Sequence, residues 1–439
     1  MSDCIQQELE LPGIDRRKLS IEFSGGDITS DGGSLLLKLI DDKLGLIQRI
    51  AKLLPDKRDL SHVTHSAESL LRQRVFSLAL GYEDVNDHQT LRQDPALQVA
   101  NGELKMLASS STLTRFEQRS DRQTTLAIHE EMVNTFIASF SEPPTELILD
   151  FDATDTEIHG KQDGRFFHGY YGHYCFLPLY VFCGEQVLVS YLRTADRSAA
   201  RHAGAILKLL TARLREAWPQ VRIIFRGDSG FCRKHILAWC ERNQVDYIVG
   251  LAQNNRLNTQ NGTLMRFAEQ MYKQLGEKQR LFQAFSYAAK SWHTERRVIA
   301  KAEHTEKGSN PRYLLTTLQG DPQHLYDTLY CARGEMENRI KEEQLQLFAN
   351  RTSCQEWWPN QFRLLLSSMA YMLVEAIRRT AMQGTEMAQA QCKTIRLQLL
   401  KIGAVIISNT RRIRFLLSSA YPRQALFFKV AQRLMSNTC

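Results

Sequence analysis

The chain has 439 residues, 43% hydrophobic and 24% charged, with a formal net charge of +8. That composition excludes a disordered or fibrous protein, and the length suggests roughly three domains by size alone. The nine scattered cysteines form no CxxC pair, which argues against a zinc knuckle or disulfide framework, and no apolar run is long enough to span a bilayer.

The opening stretch "MSDCIQQELELPG" carries acids and lacks the apolar centre of a signal peptide, so a cytoplasmic protein is expected. Residues 1–144 read as a mainly helical domain. "HSAESLLRQRVFSLALG" has a cap at His65 or Ser66, apolar residues at helical spacing and a stop at Gly81. "SSSTLTRFEQ" offers a cap at Ser111 or Thr112, ahead of a long helix through "TLAIHEEMVNTFIASF". "EPP" at 142–144 marks a boundary. The glycine-rich "GGDITSDGG" lacks the spacing of a nucleotide-binding loop.

From 145 to 254 the pattern changes to strands at "TELILDFDAT", "HYCFLPLYVFC" and "QVLVSYLRT". A helix at "AARHAGAILKLLTARLREAW" follows, then a strand at "VRIIFRGDS", a helix at "RKHILAWCERN" and a strand at "VDYIVGL". This order suits a mixed sheet with helices packed on it, as in a ribonuclease-H-like α/β core. Residues 255–325 read as a β-rich insertion with short helices. Residues 326–385 read as long helices that continue the core, and residues 386–439 as a basic C-terminal region. From Lys393 onward that region holds nine Lys or Arg and no acid; "IGAVIISNTRRIRFLLSS" reads as a hairpin with Arg412 and Arg414 on one face, suited to phosphate contact.

The chemistry is carried by acids at strand ends. In "LILDFDATD", Leu147, Leu149 and Phe151 share one face, whereas Asp150 and Asp152 share the other. Ionised carboxylates are costly to bury, so these must be solvated, paired or bound to a cation. Asp228 lies just past the end of another strand, where functional groups of such sheets gather. Two carboxylates held close repel, and a divalent cation is the natural compensation. In "YCARGEMENRIKEE", Tyr330, Arg333, Glu337 and Lys341 fall within about 80° of one another on an ideal helix. That stripe mixes an acid, two cations and a phenol. Asp150 is a group beside the site or, less directly, a ligand; Asp155 is a cap or an ion-pair partner. His159, His168 and His173 read as structural or surface groups, and the Trp357–Trp358 pair as core packing.

"DATD" at 152–155, "RGDSGF" at 226–231 and the Tyr330-x2-Arg333-x3-Glu337 array resemble the DDE transposases of bacterial insertion sequences, in the subgroup with the Y-R-E-K signature. "GYEDVNDHQTLRQDP" and "LASSSTLTRFE" are similar to the thirteen-eighty insertion-sequence group. The resemblance implies a catalytic, metal-binding triad of Asp152, Asp228 and Glu337, spaced 228 − 152 = 76 and 337 − 228 = 109 residues apart. It also implies two Mg²⁺ ions, with Mn²⁺ as a substitute, and cleavage and strand transfer by two-metal phosphoryl transfer. DNA contacts are implied for Tyr330 and Arg333, with Lys341 assisting; Arg412 and Arg414 join them on charge, and Trp292 in the insertion reads as a packed tryptophan or as a base-stacking residue. The implied partners are double-stranded DNA, as terminal inverted repeats and target, and a second copy in a homodimer, with no membrane and a nucleoid association when bound. The signature lysine is due seven residues after Glu337, where this chain has Gln344; Lys341 is the substitute on the same stripe. That departure keeps an alternative open: a decayed or domesticated transposase acting as a sequence-specific DNA-binding protein.

Overall fold

The computed structural model describes residues 8–436, which leaves Cys4 and Cys439 outside. Two compact units emerge, one from residues 48–57 and 116–375, the other from residues 1–47, 58–115 and 376–439.

The first unit is built on a mixed sheet. Its strands are β1 (Glu146–Ala153), β2 (Leu179–Cys183), β3 (Gln186–Tyr191), β4 (Arg222–Gly227), β5 (Asp246–Leu251), β6 (Gln279–Tyr287), β7 (Arg296–Thr305) and β8 (Arg312–Thr316). Their spatial order is β6-β7-β8-β5-β4-β1-β2-β3. β4 runs parallel to β1 and to β5, whereas β2 is antiparallel to β1 and β3. The hairpin β2–β3 suits its two-residue connection, and the parallel strands are joined by helices, as crossovers require. Helices α1 (Arg122–Ala138), α2 (Ala203–Ala217) and α3 (Lys234–Arg242) cover one face of the sheet. There Val133, Phe136, Leu207, Leu214 and Leu237 pack on Leu149, Phe151 and Phe225.

Three expectations need correction here. The stretch after β5, read as having only short helices, begins with the 21-residue α4 (Asn255–Leu275), capped by Asn254, whose side-chain oxygen accepts from Leu257 N, and stopped at Gly276 (φ 70°). Only Leu257, Asn261 and Ala268 are buried along it. So thin a stripe, with Asn, Thr and Gly262 breaking it, gives almost no helical signal. The strands that follow it extend the main sheet through β5 and β8. The segment carrying Tyr330, Arg333 and Glu337 is likewise not one ideal helix. It runs as a π-turn (Leu325–Tyr330), a 3₁₀ turn (Cys331–Arg333), α5 (Gly334–Lys341) and a second π-turn (Glu342–Gln346). "HYCFLPLYVFC" also divides, at Pro178: His173–Phe176 joins a small sheet with Thr156–Glu157 and Phe166–His168, and the rest is β2. α6 (Trp357–Ala381) lies as read, with Trp357 edge-on to Phe176 at 5.2 Å.

In the second unit the helix Ala67–Leu80 begins and ends as read, with Ser66 accepting from Ser69 N and Gly81 at φ 95°. The hairpin of Ala404–Asn409 and Arg412–Leu417 forms as read, with Ile28–Thr29 added at its edge. The chain's two ends, expected as separate regions 1–144 and 386–439, belong to this one unit, and α1 belongs to the other. Arg396 donates to the carbonyls of Ala79 and Leu78, and Lys401 pairs with buried Asp31 at 2.7 Å. Those two cations of the basic region serve the fold.

Candidate active site

The register of the sheet fixes two of the acids. In the β1–β4 pair, Asp150 faces Arg226 and Phe151 faces Gly227. Asp152 and Asp228 therefore follow one position later on parallel strands ~4.8 Å apart. Asp152 Oδ1 accepts from Ala153 N at 2.9 Å, and Asp228 caps the turn Ser229–Phe231 by accepting from Gly230 N at 2.8 Å.

The third acid reaches them through an arginine. Arg333 donates from Nη1 to Asp152 Oδ2 at 3.3 Å and from Nη2 to Glu337 Oε1 at 2.6 Å, a pairing one helical turn apart. Burial pushes the Asp152 carboxyl up to about 6; Arg333 pulls it back, whereas Asp228 and Glu337 push it further up. Burial opposes the charge on Arg333, yet Asp152, Glu337, Tyr330 and Asp228 together hold its pKa above the ordinary value. Burial and Asp228 likewise raise the Tyr330 phenol, against the pull of Arg333. Asp152, Asp228, Tyr330, Arg333 and Glu337 thus form one electrostatic cluster.

Asp150 lies beside this cluster but not in it. It is buried and held bidentately by Arg226, Nη2 to Oδ2 at 2.6 Å. Arg226 also donates to the carbonyl of Leu329, the residue before Tyr330. One guanidinium therefore ties β1, β4 and the Tyr330 segment together. Reading the sequence missed Arg226, although it stands two residues before Asp228 as Asp150 stands two before Asp152. Gly250 on β5 permits the same convergence: a Cβ there would lie 2.7 Å from Ser229 N and 2.9 Å from Tyr330 Oη.

The remaining expected residues lie further out. Lys341 is exposed on α5, and Gln344 donates to the Asp155 carbonyl at 3.0 Å. Asp155 pairs with His173 at 2.8 Å. Trp292 is half-buried, edge-on to Tyr287 at 5.8 Å and beneath the Arg296 guanidinium at 4.8 Å. Arg412 and Arg414 are exposed on one face of the hairpin in the second unit.

Three carboxylates are oxygen donors of the kind that hard divalent cations take. Among the described residues no three His, Cys, Asp or Glu side chains already stand as a metal cage, because Arg333 lies between Asp152 and Glu337. The donor set fits a divalent cation provided that Arg333 lets go of one acid. Among the described residues no helix is long and apolar enough to cross a membrane.

No curated protein matches the chain. Among solved structures it is similar to a piggyBac transposase synaptic complex with hairpin DNA, at 10% identity and a TM-score of 0.42, over 94% of this chain and 83% of that one. The family model for transposase DDE domain group 1 matches residues 11–439. DDE transposases generally work with divalent metal ions and act on DNA. With the match running through both units and every residue of the cluster, the chain belongs to the DDE transposase family and is a DDE transposase.

Proposed function

We propose that this chain is the transposase of a bacterial insertion sequence, of the Y-R-E-K type and similar to the thirteen-eighty group. It binds the element's terminal inverted repeats, cuts at their ends and joins the 3′-hydroxyls to target DNA, working as a homodimer because two ends must be brought together. The observation that carries this reading is the convergence of Asp152, Asp228 and Glu337 on Arg333 from two adjacent strand ends and a later helix. The strand order β3-β2-β1-β4-β5, with β2 reversed, supports a ribonuclease-H-like core.

In this reading Asp152, Asp228 and Glu337 hold two Mg²⁺ ions, or Mn²⁺ in their place. When bound, such ions activate a water or 3′-hydroxyl and neutralise the leaving oxygen. The protein's own groups do the rest. Arg333 exchanges a carboxylate for a phosphate oxygen, a partner its planar fork fits equally well. Tyr330 donates to the same phosphate. Gly250 and Arg226 keep Tyr330 close to Asp228. Arg412 and Arg414 grip backbone phosphates from the second unit, whose helices are the candidate end-reading elements. Lys341 and Trp292 are assigned outer DNA contacts, with Trp292 stacking a base once it leaves Arg296.

Gln344 favours a second reading, a protein that binds DNA without cutting it. One experiment decides. Asp152→Asn and Glu337→Gln should bind end DNA as the parent does and lose Mg²⁺-dependent cleavage. Cleavage retained by either variant sinks the assignment, and a parent that binds ends without ever cutting them establishes the second reading.

A further inference from the structure

Beside the Asp228 turn lies a cavity of about 610 Å³ whose walls are the start of α2, the length of α3 and the segment before α2. Arg201, Lys208, Arg233 and Arg242 line it, with His235 and Trp239 between them and no Asp or Glu among the lining residues. All four cations are exposed, and among the described residues none of them pairs with an acid. Elsewhere in the same unit exposed arginines find acids: Arg222 holds Glu146 and Asp246, and Arg280 holds Asp327. Four like charges left facing one hollow cost stability unless something outside the chain uses them.

The wall is built rather than loose. Buried Arg193 donates to the carbonyls of Ala199 and Arg201, both at 2.7 Å, and to that of Leu177 at 2.9 Å. That staple fixes the rim from which the Arg201 side chain projects. The opposite rim follows from Asp228, since Arg233 N donates to Phe231 O at 2.8 Å, just past the turn that Asp228 caps. The two rims meet where a Cβ on Gly230 would touch Ala199 Cβ at 3.3 Å. Lys208 Nζ stands 5.9 Å over the Trp239 ring, which orients the ammonium toward the hollow.

We propose that this cleft is a phosphate-backbone grip for duplex DNA, which holds the strand on its way past Asp228. It rests on the transposase reading but concerns a different surface. A groove of unpaired cations recognises spaced phosphates and not bases, so it should add affinity without sequence preference. Its place next to the Asp228 turn makes the gripped phosphates those flanking the one to be cut.

The test is salt-dependent binding of a fluorescent duplex by the full chain in EDTA, where no cleavage occurs. The triple variant Arg201→Gln, Arg233→Gln, Arg242→Gln should bind at least about tenfold more weakly near 0.1 M salt. The slope of log affinity against log salt should shrink by about 2 to 3, at ~0.9 per phosphate contact. The matching Arg→Lys triple should restore most of that slope, and neither triple should melt below the parent. An unchanged slope in the Gln triple with native melting overturns the cleft. So does binding of phosphatidylserine vesicles through these residues with DNA binding untouched. Cleavage surviving in Asp152→Asn would defeat the active-site reading alone, because this slope is measured without catalysis.

Discussion

Arg226→Met separates what the Arg226 guanidinium does for the fold from what it does for the site. Arg226 and Asp150 are 6% and 2% exposed, so the variant strands a carboxylate in the core. Removing one partner of such a pair costs roughly 3–5 kcal/mol, most of it the uncompensated charge left behind. Adding Asp150→Leu removes that charge and fills the space, so the double variant should recover to within about 1 kcal/mol of the parent. The coupling energy should therefore be at least about 2 kcal/mol, read from urea midpoints at constant m-value. Cleavage should not recover with stability. The Leu329 carbonyl still lacks its donor, so Tyr330 and Arg333 lose their fixed distance from Asp152. A loss of at least tenfold, about 1.4 kcal/mol at the transition state, should persist in the double variant while DNA binding in EDTA is unchanged. The reasoning fails if Arg226→Met unfolds like the parent. The positioning role fails if the double variant regains both stability and cleavage.

Three further outcomes follow from the same structure. Burial raises the Glu343 carboxyl, 2.7 Å from the Ser368 hydroxyl, to about 8. The folded chain then keeps a proton that the unfolded chain releases near 4.5, so this group erodes stability as pH rises from about 4.5 to about 8. Glu343→Gln should remove that slope and gain several kcal/mol above pH 8 in urea titrations, at about 1.4 kcal/mol per pKa unit; an unchanged pH profile refutes it. Gly250→Ala should cost about 1–3 kcal/mol by forcing the Ser229 turn and Tyr330 apart, and should slow cleavage more than it weakens DNA binding. Mg²⁺ should raise the melting temperature of the parent, by the equivalent of about 2.7 kcal/mol at a hundredfold excess over its dissociation constant. Asp152→Asn should abolish that rise, and Arg333→Gln should strengthen it by removing a competing cation; a calorimetric titration checks both.

Strands β1 and β4 were legible because burial writes itself into them. Leu147, Leu149 and Phe151 alternate with Asp150 and Asp152, and the same period in "RIIFRGDS" places Arg226 and Asp228 on the matching face. The pairing of Arg226 with Asp150 was within reach, since both stand two residues before a strand-end acid. It was missed because an arginine in a strand reads as solvent-facing until the parallel register is known. Of the stripe read on the third element, Arg333 and Glu337 are in contact at 2.6 Å, whereas Lys341 is exposed. An i, i+4 contact survives at the start of α5, whereas π-turns on both sides break the 100° rule over longer spans. Gln344 reaches the Asp155 carbonyl through the second of those π-turns, which no ideal wheel would place there. The joining of both chain ends in one unit rests on contacts hundreds of residues apart, such as Arg396 to Ala79, and local patterns carry no trace of them.

The charge balance around Arg333 bears on how the proposed phosphoryl transfer could run at this cluster. Asp152, Asp228 and Glu337 bring three negative charges to one positive, and the burial of Asp152 makes the deficit costly. Arg333 spreads its fork over two of the acids, which holds the cluster together but leaves it short of positive charge. A phosphodiester would deepen that shortage by one more charge. Arg333 carries one positive charge however its five donors are shared, so it cannot neutralise two carboxylates and a phosphate at once. In the proposed reading, substrate entry at this cluster therefore demands additional positive charge where the acids converge, and their carboxylate oxygens suit a hard cation to supply it.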